Sequence, residues 1–372
     1  MTDLKNVIDL RCISADSHVV EPGELFVDYI EPAYRDRAPR LVRGPDHDTW
    51  QCEGLEPLAV GLLAAAGISA EALEREGRFE THIPRGAWDP HARLEQIGAD
   101  GVDAEVLYPT VGLTLFGIED PDFKRACFRA YNDWIADFCA AYPERFKAVG
   151  LLATEDIPSA VAELERCRKL GLAGGAIALD ADREQPYADV RFEPLWAAAQ
   201  ALDAPLSLHV FTPSAKGKPR RKRDIADGIV EPMWVQRALG LMVFAGVFER
   251  FPGLRIVSVE SDAGWLPYFL ERIDYIFDRR RKIYPMNLSR DLLPSEMIRR
   301  GSRFTFLRDR AAVLARDQIG LSALLWSTDY PHNGSTWPAS RDVLSKIMRG
   351  VPDEERHQIV AGNVAELYGF GR

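Results

Sequence analysis

Asp16 and His18 stand two positions apart in Ile13-Ser-Ala-Asp-Ser-His-Val-Val-Glu-Pro22. Residues i and i+2 of a β-strand share a face, so the two side chains can converge on one point. A neutral imidazole nitrogen beside a carboxylate oxygen is half of a divalent-metal site. His209 closes the apolar run Pro205-Leu-Ser-Leu-His-Val210. Asp329 ends Leu324-Leu-Trp-Ser-Thr-Asp329, just before Tyr330-Pro-His332. Two imidazoles and two carboxylates suit Zn2+, Mn2+ or Fe2+, with the carboxylates neutralising the ion's charge. A lone histidine at a strand end is more often a hydrogen-bonded core residue. Four such residues at strand ends point instead to a shared centre.

Glu260 ends Ile256-Val-Ser-Val-Glu260 and is the natural candidate for proton transfer; the blander alternative is a carboxylate that holds a ligand or a loop amide. His332 can bind substrate or assist proton transfer, or else merely cap the Tyr-Pro turn. Asp329 doubles as a candidate proton carrier.

Such residues need strands that end at one place. Short apolar runs recur at 11–16, 104–109, 146–153, 174–179, 205–210, 255–260, 303–307 and 323–328. Amphipathic stretches over 123–142, 157–170, 192–202, 233–251 and 265–281 separate the later ones. Buried strands alternating with helices read as βαβ units around a parallel sheet. This count predicts an α/β fold of the (β/α)8 TIM-barrel type, whose strand C-termini open onto one catalytic mouth. No Gly-x-Gly-x-x-Gly follows a strand and no P-loop occurs, which disfavours nucleotide-binding folds. Residues 31–90 break the alternation, with a short Ala/Leu/Glu helical piece expected near Leu62–Glu76. The expectation is one domain over 1–372 with 31–90 as a lid-like insertion after the first strand.

The chain has 372 residues, 47% hydrophobic and 27% charged, enough for a sizeable core. A net charge of −10 argues against nucleic acid as the main partner, because neutralising phosphates needs a basic surface. The five cysteines form no C-x-x-C pair, and Cys12 reads as packing. The opening Met-Thr-Asp-Leu-Lys-Asn lacks a basic-then-apolar leader, and no apolar run approaches the roughly 20 residues that span a bilayer. A cytoplasmic protein without membrane or nucleic-acid partners is expected.

Lys216-Gly-Lys-Pro-Arg-Arg-Lys-Arg223 is a basic loop after His209 that would draw a carboxylated substrate, unless it is simply a solvated loop. Arg279-Arg-Arg-Lys282 suits a helix C-terminus, where cations offset the dipole. Trp50, Trp88, Phe116, Phe306 and Trp337 are candidates to line a pocket for a flat substrate, against the commoner reading as core.

Several segments resemble the amidohydrolase-related family, in the branch containing aminocarboxymuconate-semialdehyde decarboxylase and the resorcylate-type decarboxylases. They are Ala15-Asp-Ser-His-Val-Val-Glu-Pro22, Arg93-Leu-Glu-Gln-Ile-Gly-Ala-Asp-Gly-Val-Asp103, Leu107-Tyr-Pro-Thr110 and Leu208-His209. Further on come Glu260 with Gly264-Trp-Leu-Pro-Tyr-Phe-Leu-Glu-Arg-Ile-Asp274, then Trp326-Ser-Thr-Asp-Tyr-Pro-His332 and Gly362-Asn-Val-Ala-Glu-Leu-Tyr368. The resemblance implies a (β/α)8 barrel with one divalent ion, Zn2+ or Mn2+, held by Asp16, His18, His209 and Asp329. It also suggests a homodimer or larger homo-oligomer.

Two departures matter. Many members carry His-x-His on the first strand, where this chain has Asp16; more oxygen ligation shifts preference toward Mn2+ or a more weakly held Zn2+. Many also carry a histidine at the end of the sixth strand, where Glu260 stands. The expected function is a metal-dependent enzyme that decarboxylates a small carboxylated aromatic or cyclic compound, with Asp329 or Glu260 giving the proton. The alternatives are hydrolysis of an amide, ester or lactone by metal-activated water, and a barrel that binds ligand without turnover.

Overall fold

The computed structural model describes residues 10–179, 186–212, 225–230, 232–289 and 291–371. Its strands are β1 (Ile13–His18), β2 (Arg40–Arg43), β3 (Asp48–Gln51), β4 (Leu58–Ala59), β5 (Ala104–Tyr108), β6 (Phe146–Leu151), β7 (Gly174–Ile177), β8 (Leu206–His209), β9 (Ile256–Val259), β10 (Ser302–Phe306) and β11 (Leu324–Trp326). Eight pair side by side in the order β1-β5-β6-β7-β8-β9-β10-β11, each neighbouring pair parallel. Helices cover this sheet, so most of its strands are apolar runs buried on both faces. The result is the expected (β/α)8 barrel.

β1 is the exception in chemistry, since Ser14, Asp16, Ser17 and His18 are all buried. Those polar groups close the barrel. The hydroxyls of Ser14 and Ser17 lie 3.2 and 2.8 Å from that of Thr328, and the Thr328 N–H donates to Ser14 Oγ at 2.9 Å. Beyond them the Asp329 N–H donates to the Asp16 carbonyl at 2.9 Å and the His18 N–H to the Tyr330 carbonyl at 2.6 Å. First and last strands are thus knit where the candidate ligands sit.

Local sequence explains where the helices begin. Asp89 and Asp120 accept hydrogen bonds from the first free amides of helices Pro90–Ala99 and Pro121–Ala140, each with proline at its start. The helix from Leu266 ends at Arg280, inside the basic run that the dipole argument placed at a C-terminus. The stretch over 233–251, expected as one helix, is two: Pro232–Phe244 and Val247–Arg250, separated at Gly246 with φ of 76°.

Residues 31–90 form an antiparallel sheet, β2-β3-β4, with short turns of helix. The Val20 N–H donates to the Ala87 carbonyl and the Ala66 N–H to the Pro331 carbonyl, both at 2.9 Å. The insertion therefore touches the barrel beside the last residues of β1 and the loop after β11. The helix expected near Leu62–Glu76 is absent, with only a 3-10 turn at Ala70–Ala72. The Gly61 N–H donates to the Arg75 carbonyl at 3.1 Å, so the segment doubles back on itself. A helix would hold those residues about 20 Å apart. Gly67, at φ of 75°, makes one of the reversals. Among the described residues no helix is long and apolar enough to cross a membrane.

Candidate metal centre

His18 ends β1 and His209 ends β8, and both rings are fully buried. Nδ1 of His18 lies 2.8 Å from the Pro109 carbonyl, and Nδ1 of His209 lies 2.7 Å from the Val210 carbonyl. A carbonyl can only accept, so each Nδ1 carries the hydrogen and each Nε2 of the neutral ring offers a lone pair. Those two Nε2 atoms face one another at 3.3 Å. Asp16 Oδ1 lies 3.3 Å from Nε2 of His18 and 3.8 Å from Nε2 of His209. Asp329 Oδ1 lies 3.5 Å from Nε2 of His18.

Asp16 Oδ1 is buried without a hydrogen-bond partner, and buried Asp329 Oδ1 has His332 Nδ1 at 2.9 Å as a polar neighbour. The lone-pair atoms of Asp16, His18 and His209 lie within 4.8 Å of one another, with Asp329 Oδ1 reaching in beside His18, and such atoms repel each other unless a cation sits between them. Donors each about 2.1 Å from one ion lie roughly 3.0–3.5 Å apart, close to the separations found. The donor set therefore fits a single divalent ion. Nitrogen and carboxylate oxygen together accept Zn2+, Mn2+ or Fe2+.

The electrostatics diverge between the carboxylates. Burial opposes ionisation of Asp16, yet the adjacent His18 and His209 imidazoles outweigh it and hold it below the usual carboxylate range. Burial, reinforced by the charge of Asp16, pushes Asp329 up to about 7. Burial and the neighbouring His332 bring His18 down to about 4, which keeps the ring neutral and able to ligate.

Backbone geometry marks the same place. Phe211, Glu260, Asp262 and Asp329 all have positive φ, between 50° and 65°. Non-glycine residues in that region cost of order 1–3 kcal/mol each and gather at functional sites. The seam bond to Asp16 secures Asp329. The Glu260 N–H donates to Thr305 Oγ1 at 2.9 Å, and that hydroxyl reaches Asp16 Oδ2 at 3.5 Å.

Glu260 follows β9, with Oε2 3.9 Å from Nδ1 of His209. His332 stacks on His18, ring centres 3.9 Å apart, with Nδ1 2.9 Å from Asp329 Oδ1. Donor atoms of His18, Glu260, Asp329 and His332 form a second grouping within 4.8 Å, so Asp329 is joined to Asp16 and His209 through His18, which both groupings share. All six residues singled out in the sequence thus meet at the C-terminal ends of the strands. The basic run at 216–223 lies outside the described residues. Trp50, Phe116 and Phe306 are buried in the core cluster, and Trp337 packs on Tyr330. Trp88 is half-buried against the same core.

Comparison with known proteins settles the lineage. The profile described as amidohydrolase matches residues 79–370. The chain belongs to the amidohydrolase family. Among curated relatives of this amidohydrolase-family chain, 2-amino-3-carboxymuconate-6-semialdehyde decarboxylase of Dictyostelium discoideum is 25% identical over 305 residues, spanning 79% of this chain and 80% of that protein. Gamma-resorcylate decarboxylase of Rhizobium radiobacter is 30% identical over 259 residues, spanning 64% of this chain and 76% of its own length. Among solved structures, 5-carboxyvanillate decarboxylase of Sphingomonas paucimobilis superposes with a TM-score of 0.71 at 23% identity, covering 98% of this chain and all of that one. A dihydroxybenzoic acid decarboxylase from Polaromonas, solved with manganese and 2-nitroresorcinol, superposes at 0.64 with 19% identity, covering 98% of each chain.

Several residues that pack against this amidohydrolase-family site carried no role in the sequence. Arg93 is fully buried. It pairs with Glu105 at 2.7 Å and donates to the His18 carbonyl at 2.7 Å and the Tyr330 carbonyl at 3.3 Å. Tyr108 lies against the imidazoles of His18 and His209, ring centres 6.0 and 5.3 Å away. Arg93 and Tyr108 fall inside segments that carried the resemblance, which was the available signal. Thr110, in the same segment as Tyr108, lies 3.0 Å from His332 Nε2. Thr305 had no signal of its own.

Proposed function

We propose that this protein is a metal-dependent decarboxylase of a small carboxylated aromatic or cyclic compound, with Asp16, His18, His209 and Asp329 holding one Mn2+ or Zn2+ ion. The observation that carries the reading is the convergence on His18 of buried donors from Asp16, His209 and Asp329, with Asp16 Oδ1 left without a hydrogen-bond partner. The relatives named as decarboxylases supply the reaction class. Manganese in the Polaromonas structure favours that ion, as does the acidic residue at position 16.

When bound, the ion would draw electron density from oxygens of the substrate and so ease loss of the carboxyl group. The chain's own groups do the rest. Buried Asp329, in contact with His332 Nδ1, can carry a proton to the carbon that carbon dioxide leaves. Glu260, partly open to the mouth, is the second proton carrier within reach. His332 addresses Asp329 through Nδ1. Tyr108 and the apolar strands beneath exclude water from the floor.

The reading extends to a single domain in which 31–90 walls the mouth, supported by its bonds beside Val20 and Pro331. Free cysteines fit a reducing, cytoplasmic setting. Exposed Tyr268 and Tyr275 on one outer helix suit a homo-oligomer contact.

A second reading, hydrolysis, is favoured by Glu260 standing where the resemblance expects histidine. Protein reconstituted with Mn2+ and given 2,6-dihydroxybenzoate, 5-carboxyvanillate, and a panel of amides, esters and lactones in 18O-water separates the two. Carbon dioxide with an unlabelled organic product is expected. Label entering the organic product would establish the hydrolytic reading instead.

A further inference from the structure

Thr110 precedes the short helix Val111–Thr114 and occupies its capping position. A threonine there ordinarily turns its hydroxyl onto the helix's own second or third amide. Thr110 makes no such bond. Glu21 takes over amides at that helix start: its Oε2 accepts from the Val111 N–H at 2.9 Å and its Oε1 from the Gly112 N–H at 2.8 Å. Glu21 is fully buried and has no cationic partner among the described ion pairs. Its carboxylate serves those amides and thereby releases the threonine hydroxyl for other use.

That hydroxyl lies 3.0 Å from Nε2 of His332. The preceding residue, Pro109, meets Nδ1 of His18 with its carbonyl at 2.8 Å. Two consecutive residues at the end of β5 therefore orient two imidazoles, whose rings stack at 3.9 Å with a 31° tilt. On its other side, His332 presents Nδ1 to Asp329 Oδ1 at 2.9 Å. A neutral imidazole has one donor and one acceptor nitrogen. Whatever Thr110 does at Nε2 therefore sets what Nδ1 offers to Asp329.

We infer that Thr110, released from capping by Glu21, is a positioning residue whose hydroxyl fixes the ring plane and tautomer of His332 against Asp329. The inference rests on the reading of Asp329 and His332 as the proton-handling pair. Thr110 touches neither the proposed ion nor the reacting atoms. Its removal should slow turnover without loosening the metal.

The test compares wild type, Thr110→Val and Thr110→Ser. Valine keeps the shape and removes the hydroxyl; serine keeps the hydroxyl and removes a methyl. The Zn2+-loaded proteins, labelled with 15N-histidine, report the two ring nitrogens of His332, assigned by their loss in His332→Gln. Distinct donor and acceptor nitrogens are expected in wild type and Thr110→Ser, and merging toward the tautomer average in Thr110→Val. With Mn2+ and whichever of 2,6-dihydroxybenzoate or 5-carboxyvanillate wild type consumes, Thr110→Val should lose kcat on the order of 10²-fold. KM and Mn2+ affinity should hold, and Thr110→Ser should regain most of the rate. A wild-type nitrogen pattern in Thr110→Val overturns the inference, as does loss of Mn2+ binding in that variant. If wild type consumes neither compound, the decarboxylase reading fails and the histidine spectrum alone decides the role of Thr110.

Discussion

Asp329 gives its backbone N–H to the carbonyl of Asp16, so the chain's last barrel strand delivers one proposed ligand directly onto the backbone of another. The next turn of the seam repeats the pattern, His18 donating to Tyr330. Closing the barrel and assembling the site are one event. An ion bound there ties the first strand to the last and must stabilise the fold.

Removing the ion therefore lowers thermal stability. At a free-ion concentration about 100 times Kd, binding contributes roughly 2.7 kcal/mol, worth several degrees in Tm. Calorimetry with and without chelator should show that drop for wild type. His209→Ala should melt at one temperature under both conditions; a chelator-sensitive His209→Ala would place the ion elsewhere.

Asp329→Asn preserves an oxygen near the ion but removes a proton carrier. Turnover should fall about 10²–10⁴-fold, the range of general acid catalysis. Steady-state kinetics at matched metal loading make the measurement, and a near-normal rate would take Asp329 out of proton transfer.

Glu21 imposes a pH dependence on stability. Burial pushes its carboxyl up to about 7 from an ordinary 4.5, against hydrogen bonds from the Gly112 and Val111 amides that favour the charged form. The folded state holds this proton more tightly than the unfolded chain does. Stability from this group is thus complete below the unfolded value and is lost as pH rises through the folded one. The shift corresponds to on the order of 3 kcal/mol. Urea unfolding between about pH 5 and pH 8 should show wild type losing stability relative to Glu21→Gln. Parallel curves would mean that Glu21 does not titrate in that window.

Arg93 and Glu105 form a fully buried pair. Arg93→Met leaves a carboxylate uncompensated and should cost about 3–5 kcal/mol. Arg93→Met with Glu105→Leu should recover part of that, because the stranded charge goes too. Denaturant midpoints of both variants test this; equal losses would show that the stranded Glu105 carboxylate costs nothing.

Asp16, His18, His209 and Asp329 were legible because each stands at or near the end of a buried strand, and barrel topology sends those ends to one mouth. The strand alternation gave the barrel for the same reason: strands buried on both faces are written as apolar runs. Thr110 and His332 were not legible as a pair, since 222 positions separate them and only the folded chain sets their distance. The segment near Leu62–Glu76 misled through composition. Ala, Leu and Glu favour helix, but Gly61 packed on the Arg75 carbonyl and Gly67 in the left-handed region make a closed loop. Aromatics such as Trp50 and Phe306 carry no sequence mark that separates core from pocket, and core prevailed.

Elemental analysis of the purified protein, after dialysis against Mn2+ or Zn2+ and removal of free ion, reaches the central claim most directly. One ion per chain is predicted for wild type, and none for His18→Ala or His209→Ala variants whose circular dichroism matches wild type. A wild-type protein that stays metal-free, or a His209→Ala variant that keeps its ion, would contradict the account.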